Sequence, residues 1–246
     1  MTRRLALVLP LLLAACASEP DPAPTDTAPV AAADSATAAG PASPCTAASP
    51  PADDDSLTVV VLGNSLTAGY GLPDPGTQAY PALVERRARE AGLPVRVVNV
   101  GVSGETSAGG LRRVAWVLGS ARPDVFVLAL GANDGLRGLD PEAMQANLEG
   151  IFGCVREAAP EARLVLAGME TLPNYGPAYG ERFRAVFPAV AARFDAARIP
   201  FLLEGVGGVA RLNQPDGVHP TAEGQRVIAE TVWATLGPIL RATAPS

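Results

Sequence analysis

The chain has 246 residues, 48% of them hydrophobic, and carries a formal net charge of −6 at pH 7. This length accommodates one α/β domain with its own hydrophobic core. The acidic balance argues against a nucleic-acid-binding protein. All nineteen basic residues are arginine, so mechanisms that depend on a lysine, such as a Ser–Lys dyad or a Schiff base, are excluded.

The first fifteen residues have the pattern of an export signal. Arg3 and Arg4 give a basic start, an apolar run follows from residue 5 to 13, and small residues precede Cys16. The apolar run is too short to cross a bilayer as a permanent helix. Residues 13–16, Leu-Ala-Ala-Cys, resemble the bacterial lipoprotein cleavage box, which implies cleavage before Cys16 and attachment of lipid to its sulfur. An ordinary secretory signal with an incidental cysteine is the alternative.

A lipid on Cys16 predicts a protein that is anchored in the cell envelope, because several acyl chains together hold a protein stably on a membrane. Ala17 and Ser18 lack the acidic residue that often signals retention in the inner membrane. We therefore expect the outer membrane or its periplasmic face rather than inner-membrane retention.

Residues 16–55 consist almost wholly of Ala, Pro, Ser, Thr and Asp. Such a composition cannot bury enough apolar surface to fold, so we predict a flexible tether followed by a domain over residues 56–246. Cys45 of the tether and Cys154 of the domain form an even pair in a chain predicted to be exported, which indicates a possible disulfide. A free buried thiol is the alternative for Cys154.

From residue 57 onward, short apolar runs alternate with longer helical patterns, which is typical of a parallel sheet covered by helices on both faces. The predicted strands are Thr58–Leu62, Val95–Asn99, Asp124–Leu130, Arg163–Ala167 and, as a weaker fifth, Ile199–Leu203. The predicted helices lie near residues 77–91, 105–120, 141–158, 178–197 and 221–240. The pattern predicts an α/β fold, a three-layer α/β/α sandwich around a mostly parallel five-stranded sheet.

His219 is the only histidine of the chain. Imidazole is the one side chain whose ordinary pKa lies near neutrality, so His219 is the candidate for general acid–base chemistry. Asp216 lies three residues earlier and can orient the ring through its other nitrogen. Ser65, directly after the first predicted strand, is a candidate nucleophile. These three residue types predict a serine hydrolase.

Four polar clusters occupy the positions where a parallel sheet forms its functional crevice, at the carboxyl ends of strands or before the final helix. They are residues 63–66, 99–106, 131–134 and 216–219. Each cluster alone has a structural explanation, because glycines make turns and Ser, Asn and Asp cap helices. Their occurrence together and in this order favours a functional site.

Together the clusters resemble the blocks of the SGNH (GDSL) hydrolase family, most closely its exported arylesterase, thioesterase I and lysophospholipase branch. The matching stretches are residues 63–70 (GNSLTAGY), 103–107 (SGETS), 131–138 (GANDGLRG) and 216–220 (DGVHP). The resemblance extends from about Leu57 to the end of the last predicted helix. It implies a flavodoxin-like SGNH hydrolase fold.

The resemblance also implies a role for each site residue. Ser65 is the expected nucleophile, His219 the general base and then acid, and Asp216 the residue that orients the imidazole. The oxyanion hole is expected to use the backbone N–H groups of Ser65 and Gly104 and the side-chain amide of Asn133. Such donors stabilise the negative charge of the tetrahedral intermediate.

The chain departs from the family pattern at two positions. Asn64 stands where the family usually has Asp, which puts in doubt the hydrogen bonding that shapes the nucleophile loop. Ala132 replaces a glycine that is often found before the oxyanion-hole Asn. The chemistry is expected to survive both changes, since neither residue belongs to the triad.

The resemblance further suggests substrate contacts. Leu136, in a loop beside the oxyanion hole, and Tyr175 and Tyr179, in a facing wall, are the expected substrate-binding residues, with ordinary loop packing as the alternative. Single-domain size suggests a shallow groove and favours short to medium acyl chains.

We therefore expect a monomeric serine esterase that hydrolyses carboxylic esters or thioesters, whose partners are a small acyl substrate and a membrane, with no nucleic acid. No cofactor is expected, and one histidine without a close cysteine pair does not support a zinc site. The alternatives are a carbohydrate O-deacetylase of the same family or a catalytically silent, glycan-binding envelope lipoprotein.

Overall fold

The structure is a computed structural model that describes Cys45 and residues 56–244. The predicted signal peptide (1–15), the predicted lipidation site Cys16 and all of the predicted tether except Cys45 lie outside the described residues. Among the described residues, no helix is both long enough and apolar enough to cross a membrane.

Five parallel strands form one sheet in the order β2-β1-β3-β4-β5. They are β1 (Leu57–Gly63), β2 (Val95–Asn99), β3 (Val125–Ala129), β4 (Arg163–Ala167) and β5 (Ala197–Ile199). Every residue of β1 and β3 is buried, as their continuous apolar sequences predict, whereas edge strand β2 is only partly covered. The register places Val60 beside Val98 on one side and Phe126 on the other.

Eight α-helices connect or follow these strands. They are α1 (Ser65–Ala68), α2 (Pro75–Gln78), α3 (Tyr80–Glu90), α4 (Ser107–Ser120), α5 (Ala132–Leu136), α6 (Pro141–Ala158), α7 (Pro177–Phe194) and α8 (Ala222–Thr243), with 3-10 turns at Pro173–Tyr175 and Ala210–Leu212. Strand β2 lies on one side of β1, and β3, β4 and β5 follow in order on the other side. Crossovers between parallel strands are right-handed. The helices therefore form two layers, with α3 packed against α8 and α4, α6 and α7 packed in succession.

The reversal of strand order separates the loops that follow β1 and β3 and opens a crevice between them at the carboxyl edge of the sheet. Three of the four polar clusters follow β1, β2 and β3 and lie at this edge. The observed architecture confirms the predicted α/β/α sandwich, and the described strands are all parallel.

Several predicted boundaries differ from the observed ones, and three of the differences have a structural reason. The fifth strand is Ala197–Ile199 and not Ile199–Leu203, because Pro200 has no amide hydrogen to continue the ladder. The helix predicted over 178–197 ends at Phe194, where Asp195 adopts φ 51° and terminates it. The helix predicted over 77–91 is divided in two by Ala79, whose backbone is extended.

The sulfur atoms of Cys45 and Cys154 are bonded to each other. Cys154 lies on α6, and the bond joins residues 109 positions apart in the chain. The predicted pair is thus brought together, with Cys45 buried against the domain.

Candidate active site

The nucleophile turn consists of Gly63, the last residue of β1, then Asn64 and the four residues of α1. Ser65 is the first residue of α1 and is 8% exposed. Gly63 lets the turn close, since a Cβ at this position would lie 2.0 Å from Thr67 Oγ1. The turn therefore presents the Ser65 hydroxyl at the carboxyl edge of the sheet.

Asn64 caps α1, with its side-chain Oδ1 accepting a hydrogen bond from the Leu66 amide at 3.0 Å. The other end of the same side chain is different: Asn64 Nδ2 is buried and finds no hydrogen-bond partner among the described residues. The departure from the family's usual Asp thus keeps the cap and leaves one buried donor unsatisfied.

The side chains of Ser65, His219 and Asp216 form a continuous chain of hydrogen bonds. His219 Nε2 lies 3.0 Å from Ser65 Oγ, and His219 Nδ1 lies 2.6 Å from Asp216 Oδ2. The tautomer with the proton on Nδ1 donates to the carboxylate and leaves Nε2 free to accept from the serine hydroxyl. The structure therefore brings together the three residues that the sequence singled out as a triad.

Asp216 is held in its ionised form by hydrogen bonds. The backbone N–H of His219, the His219 ring and the backbone N–H of Val218 lower the pKa of Asp216 from its ordinary 3.8 to about 2. Both amides donate to Oδ1, at 3.0 and 2.9 Å, so the other oxygen remains for the imidazole. A carboxylate that stays ionised can stabilise the imidazolium formed when His219 takes a proton.

The loop that carries His219 is fastened by Gln214. Its backbone N–H donates to the His219 carbonyl at 2.7 Å, and its side-chain Nε2 donates to the carbonyls of Tyr70 and Pro220 at 2.7 and 3.0 Å. The Tyr70 ring lies 4.6 Å from the imidazole, centroid to centroid. Gln214 and Tyr70 thereby link the histidine loop to the segment that follows the nucleophile turn.

The predicted oxyanion donors also meet at this edge. Within the described residues, no acceptor takes a hydrogen bond from the backbone N–H of Ser65 or of Gly104. Asn133 Nδ2 donates one hydrogen to the Glu105 carbonyl at 2.9 Å, which leaves its second hydrogen available. Gly104 has φ +78°, a conformation that favours glycine, and a Cβ there would meet no protein atom closer than 3.8 Å.

A buried hydrogen-bond network supports Asn133 from below. Asp134 accepts from Ser107 N at 2.9 Å and from Ser107 Oγ at 2.6 Å, and Asn147 Nδ2 donates to the same hydroxyl at 3.0 Å. Burial raises the pKa of Asp134 despite these bonds. The network connects α5, the N-terminus of α4 and α6, and so fixes the backbone on which Asn133 sits.

Gln225 of α8 supports the nucleophile turn from the opposite side. It is fully buried, accepts from Tyr80 N at 2.8 Å and donates to Leu66 O at 3.2 Å. The Tyr80 hydroxyl in turn contacts Thr67 Oγ1 at 2.8 Å. Sequence reasoning missed Gln225, since its partners lie far away in the chain.

Beside Ser65 and His219 lies a cavity of about 580 Å³. Its apolar lining consists mainly of Tyr70, Leu136, Leu172, Phe201, Leu203 and Val218. The volume falls within the usual range for small-molecule sites. Of the three predicted substrate-binding residues, Leu136 is part of this lining.

Tyr175 and Tyr179 do not line this cavity. The Tyr175 hydroxyl donates to Leu136 O at 3.1 Å, and the Tyr179 hydroxyl donates to Leu139 O at 2.8 Å. The two rings pack against each other with their centroids 5.2 Å apart. The tyrosines therefore stabilise the loop that presents Leu136. The direct substrate contact expected of them would require them to line the cavity.

No group of three or more histidine, cysteine, aspartate or glutamate side chains within Cys45 and residues 56–244 is placed to hold a metal ion. The functional groups that converge at the sheet edge are a hydroxyl, an imidazole, a carboxylate, backbone amides and one carboxamide. This set can transfer a proton from a hydroxyl and stabilise a developing oxyanion.

Comparison with known proteins agrees with this geometry. The sequence profile of the GDSL-like lipase/acylhydrolase family matches residues 61–227. Esterase TesA of Pseudomonas aeruginosa is 44% identical over 183 residues, which cover 74% of this chain and 89% of that protein. Thioesterase 1/protease 1/lysophospholipase L1 of Escherichia coli K12 is 35% identical over 183 residues, or 74% of this chain and 85% of that protein.

A crystal structure of TesA is similar to this structure with a TM-score of 0.70 at 43% sequence identity, and the match covers 74% of this chain and 99% of that one. The family profile spans more than half of the chain and contains all four polar clusters. The chain therefore belongs to the GDSL-like lipase/acylhydrolase family.

Proposed function

We propose that the protein is a serine esterase that hydrolyses carboxylic esters and thioesters through an acyl-Ser65 intermediate. As a member of the GDSL-like family it is an ester-bond hydrolase. The observation that carries the proposed mechanism is the unbroken contact from Asp216 through His219 to Ser65, with distances of 2.6 and 3.0 Å.

The acylation step begins when Ser65 Oγ attacks the acyl carbon and its proton passes to His219 Nε2. The carbonyl π electrons move onto the former carbonyl oxygen, which becomes the oxyanion. When the tetrahedral intermediate collapses, the bond to the alcohol or thiol leaving group breaks. His219 returns its proton to that group. Water then repeats the sequence on the acyl-enzyme and regenerates the Ser65 hydroxyl.

Asp216 acts on this cycle through His219. Its pKa, about 2, lies far below neutral pH, so an ionised carboxylate faces the Nδ1 proton throughout turnover. The oxyanion is assigned to the N–H groups of Ser65 and Gly104 and to the second hydrogen of Asn133 Nδ2. Preorganised donors of this kind contribute without further reorganisation when the charge develops.

The cavity has a lining that can bind an apolar acyl or aryl group of the substrate. Its hydrophobic lining suits a neutral hydrocarbon group, and relatives are named esterase and thioesterase/lysophospholipase. The preference for short to medium acyl chains stays a prediction. We also propose that the protein acts as a monomer on a small ester or thioester.

We propose further that the protein is exported and anchored in the cell envelope by lipid on Cys16. The basic start, the apolar run and Leu-Ala-Ala-Cys at residues 13–16 support this proposal. Mass spectrometry of the mature amino terminus from the native host would show a diacylglyceryl cysteine. An unmodified Cys16 would overturn the anchor and leave the enzymatic proposal intact.

The enzymatic proposal is tested with p-nitrophenyl esters from acetate to long-chain acyl groups and with an acyl thioester. The full chain is compared with its Ser65→Ala variant, and both are checked for equal thermal stability. We expect Ser65→Ala to abolish turnover, because no other hydroxyl contacts His219 Nε2 in the described residues. The acyl length that gives the highest kcat/KM reports the capacity of the cavity.

Two results would contradict the proposal. Activity retained by Ser65→Ala would rule out the acyl-Ser65 intermediate. A folded wild-type protein that cleaves only acetylated polysaccharide, and none of these esters, would point to the O-deacetylase alternative.

A further inference from the structure

Arg113 and Glu105 form an ion pair directly behind the oxyanion hole. Arg113 Nε donates to Glu105 Oε1 at 2.7 Å, and Arg113 Nη2 donates to Glu105 Oε2, so the pair is bidentate. Both side chains are largely buried, with exposed fractions of 19% for Arg113 and 7% for Glu105. Bidentate, partly desolvated pairs hold their geometry better than exposed pairs.

The ion pair fixes the position of Glu105 in the loop after β2. Arg113 Nη2 also donates to the Val100 carbonyl at 2.6 Å, so one guanidinium connects both ends of the loop that carries Gly104. The Glu105 side chain lies over the first turn of α4, where a Cβ on Gly109 would come within 2.8 Å of Glu105 Cγ. The absence of a side chain at Gly109 therefore makes room for the pair.

Glu105 contacts the oxyanion hole through its backbone. Its carbonyl accepts from Asn133 Nδ2 at 2.9 Å, and this bond determines where the second amide hydrogen points. The neighbouring Gly104 carbonyl has separate support, since Arg137 Nη2 donates to it at 2.9 Å. Glu105 thus reaches the reacting oxygen through Asn133. Arg113 also reaches the nucleophile turn, where its Nη2 donates to the Gly63 carbonyl at 3.5 Å.

We propose that Arg113 and Glu105 are positioning residues for the oxyanion hole, which fix the Glu105 carbonyl and thereby aim the Asn133 amide at the developing oxyanion. The proposal rests on the function proposed above. Neither side chain touches the substrate, so the pair contributes to turnover and little to ground-state binding.

The test is a double-mutant cycle between Glu105→Ala and Asn133→Ala, with kcat and KM measured on p-nitrophenyl acetate. Alone, Glu105→Ala is expected to lower kcat on the order of 100-fold with KM unchanged, the cost of a misplaced group at the reacting centre. In the Asn133→Ala background, the same substitution should change kcat by no more than about 2-fold, because its target is already gone.

Glu149→Ala is the matched control. Glu149 is also a largely buried carboxylate, with 17% exposure and an ion pair to Arg193, but it lies on α6 and not at the cavity. This variant loses an ion pair to the more exposed Arg193 and should keep the wild-type kcat. Where Glu105→Ala does not fold, Glu105→Gln takes its place, since the amide oxygen can still accept one hydrogen bond from Arg113. Its smaller loss of kcat should also vanish with Asn133→Ala.

Three results would overturn the proposal: an unchanged kcat in the Glu105 variants, a loss of equal size with and without Asn133, or a rise in KM at constant kcat. A comparable loss of kcat in Glu149→Ala would also count against it. These results differ from failure of the proposed function itself, in which wild-type activity would not depend on Ser65.

Discussion

At the residue scale, the short segment from Asp216 to His219 orients the imidazole of the triad. Two backbone amides bind one oxygen of Asp216 and the imidazole binds the other, so each carboxylate oxygen has an N–H donor. The same bonds that orient the imidazole also depress the pKa of Asp216. The orientation of the His219 ring and the negative charge of Asp216 therefore depend on the same local hydrogen bonds.

Asp216→Asn should lower kcat by about four orders of magnitude, because the amide can impose the wrong tautomer on His219 and removes the charge that stabilises the imidazolium. Steady-state kinetics on p-nitrophenyl acetate measures the effect. A variant that keeps more than a tenth of wild-type kcat would show that Asp216 is not the orienting group.

The pH dependence of stability follows from the same carboxylate. Its folded pKa, about 2, lies below the ordinary 3.8, so ionised Asp216 stabilises the folded state. That contribution is complete above the ordinary value and is lost as the pH falls from 3.8 toward 2. Urea unfolding between pH 6 and pH 2 should therefore show a steeper loss of stability in the wild type than in Asp216→Asn, whereas equal slopes would contradict the assignment.

Asn64 gives a third prediction at this scale. Asn64→Ala removes the acceptor for the Leu66 amide and should cost about 1 kcal/mol of stability together with a fall in kcat, since the cap shapes the nucleophile turn. Asn64→Asp keeps an acceptor and should stay closer to the wild type in kcat. Thermal unfolding and kinetics measure both.

The control for Asn64 is Asp140→Ala, which removes the cap of α6 at a position outside the cavity lining. It should lose stability without losing kcat. If kcat fell by the same factor in Asn64→Ala and in Asp140→Ala, Asn64 would act only through global stability.

At the element scale, the site is assembled from the ends of secondary-structure elements that do not adjoin in sequence. The nucleophile turn follows β1 and is hydrogen-bonded to α8. Helix α5, which carries Asn133, is hydrogen-bonded to the N-terminus of α4, and α4 is hydrogen-bonded in turn to α6. Each connection is a buried polar contact, and such contacts are costly to leave half made. The helices therefore act as fixed supports for loops that carry the chemistry.

Gln225→Leu tests the support from α8. The substitution leaves the Tyr80 N–H and the Leu66 carbonyl buried without a partner, so it should cost about 1–3 kcal/mol of stability. It should also lower kcat, since Leu66 adjoins Ser65. Gln145→Leu, which removes a side-chain bond to Glu149 on α6, should leave kcat unchanged. Chemical denaturation and kinetics distinguish the two, and wild-type stability in Gln225→Leu would contradict the proposed support.

At the scale of the whole molecule, a disulfide bond joins Cys45 to Cys154 of α6, 109 residues away in the chain. Closing a loop of this length restricts the unfolded chain, and native disulfides of this kind contribute roughly 2–5 kcal/mol. Cys154→Ser should therefore lower the thermal unfolding midpoint of the full chain and leave kcat near the wild-type value. Intact mass with and without reductant should differ by two hydrogens, and identical masses would show that the bond is absent.

Much of this arrangement could be predicted from local patterns. The unbroken apolar runs of β1 and β3 indicate strands buried on both faces, and the polar residues that follow them lie at one edge because the strands are parallel. The position of Pro200, by contrast, ends β5 earlier than its apolar run suggests. Tyr175 and Tyr179 have aromatic side chains suited to a substrate, yet their hydroxyls are used by the backbone of the neighbouring loop.

The sequence by itself determined the fold class and the chemistry available at the sheet edge, because periodicity, residue type and chain order are local properties. The tertiary structure alone decided that Ser65 and His219, 154 residues apart, lie within hydrogen-bonding distance. It also decided which buried side chains hold them: Gln225 acts across 159 residues, and Arg113 of α4 binds both Glu105 and the Val100 carbonyl in the loop before that helix. Such contacts depend on how helices pack on the sheet, and no local pattern encodes that packing.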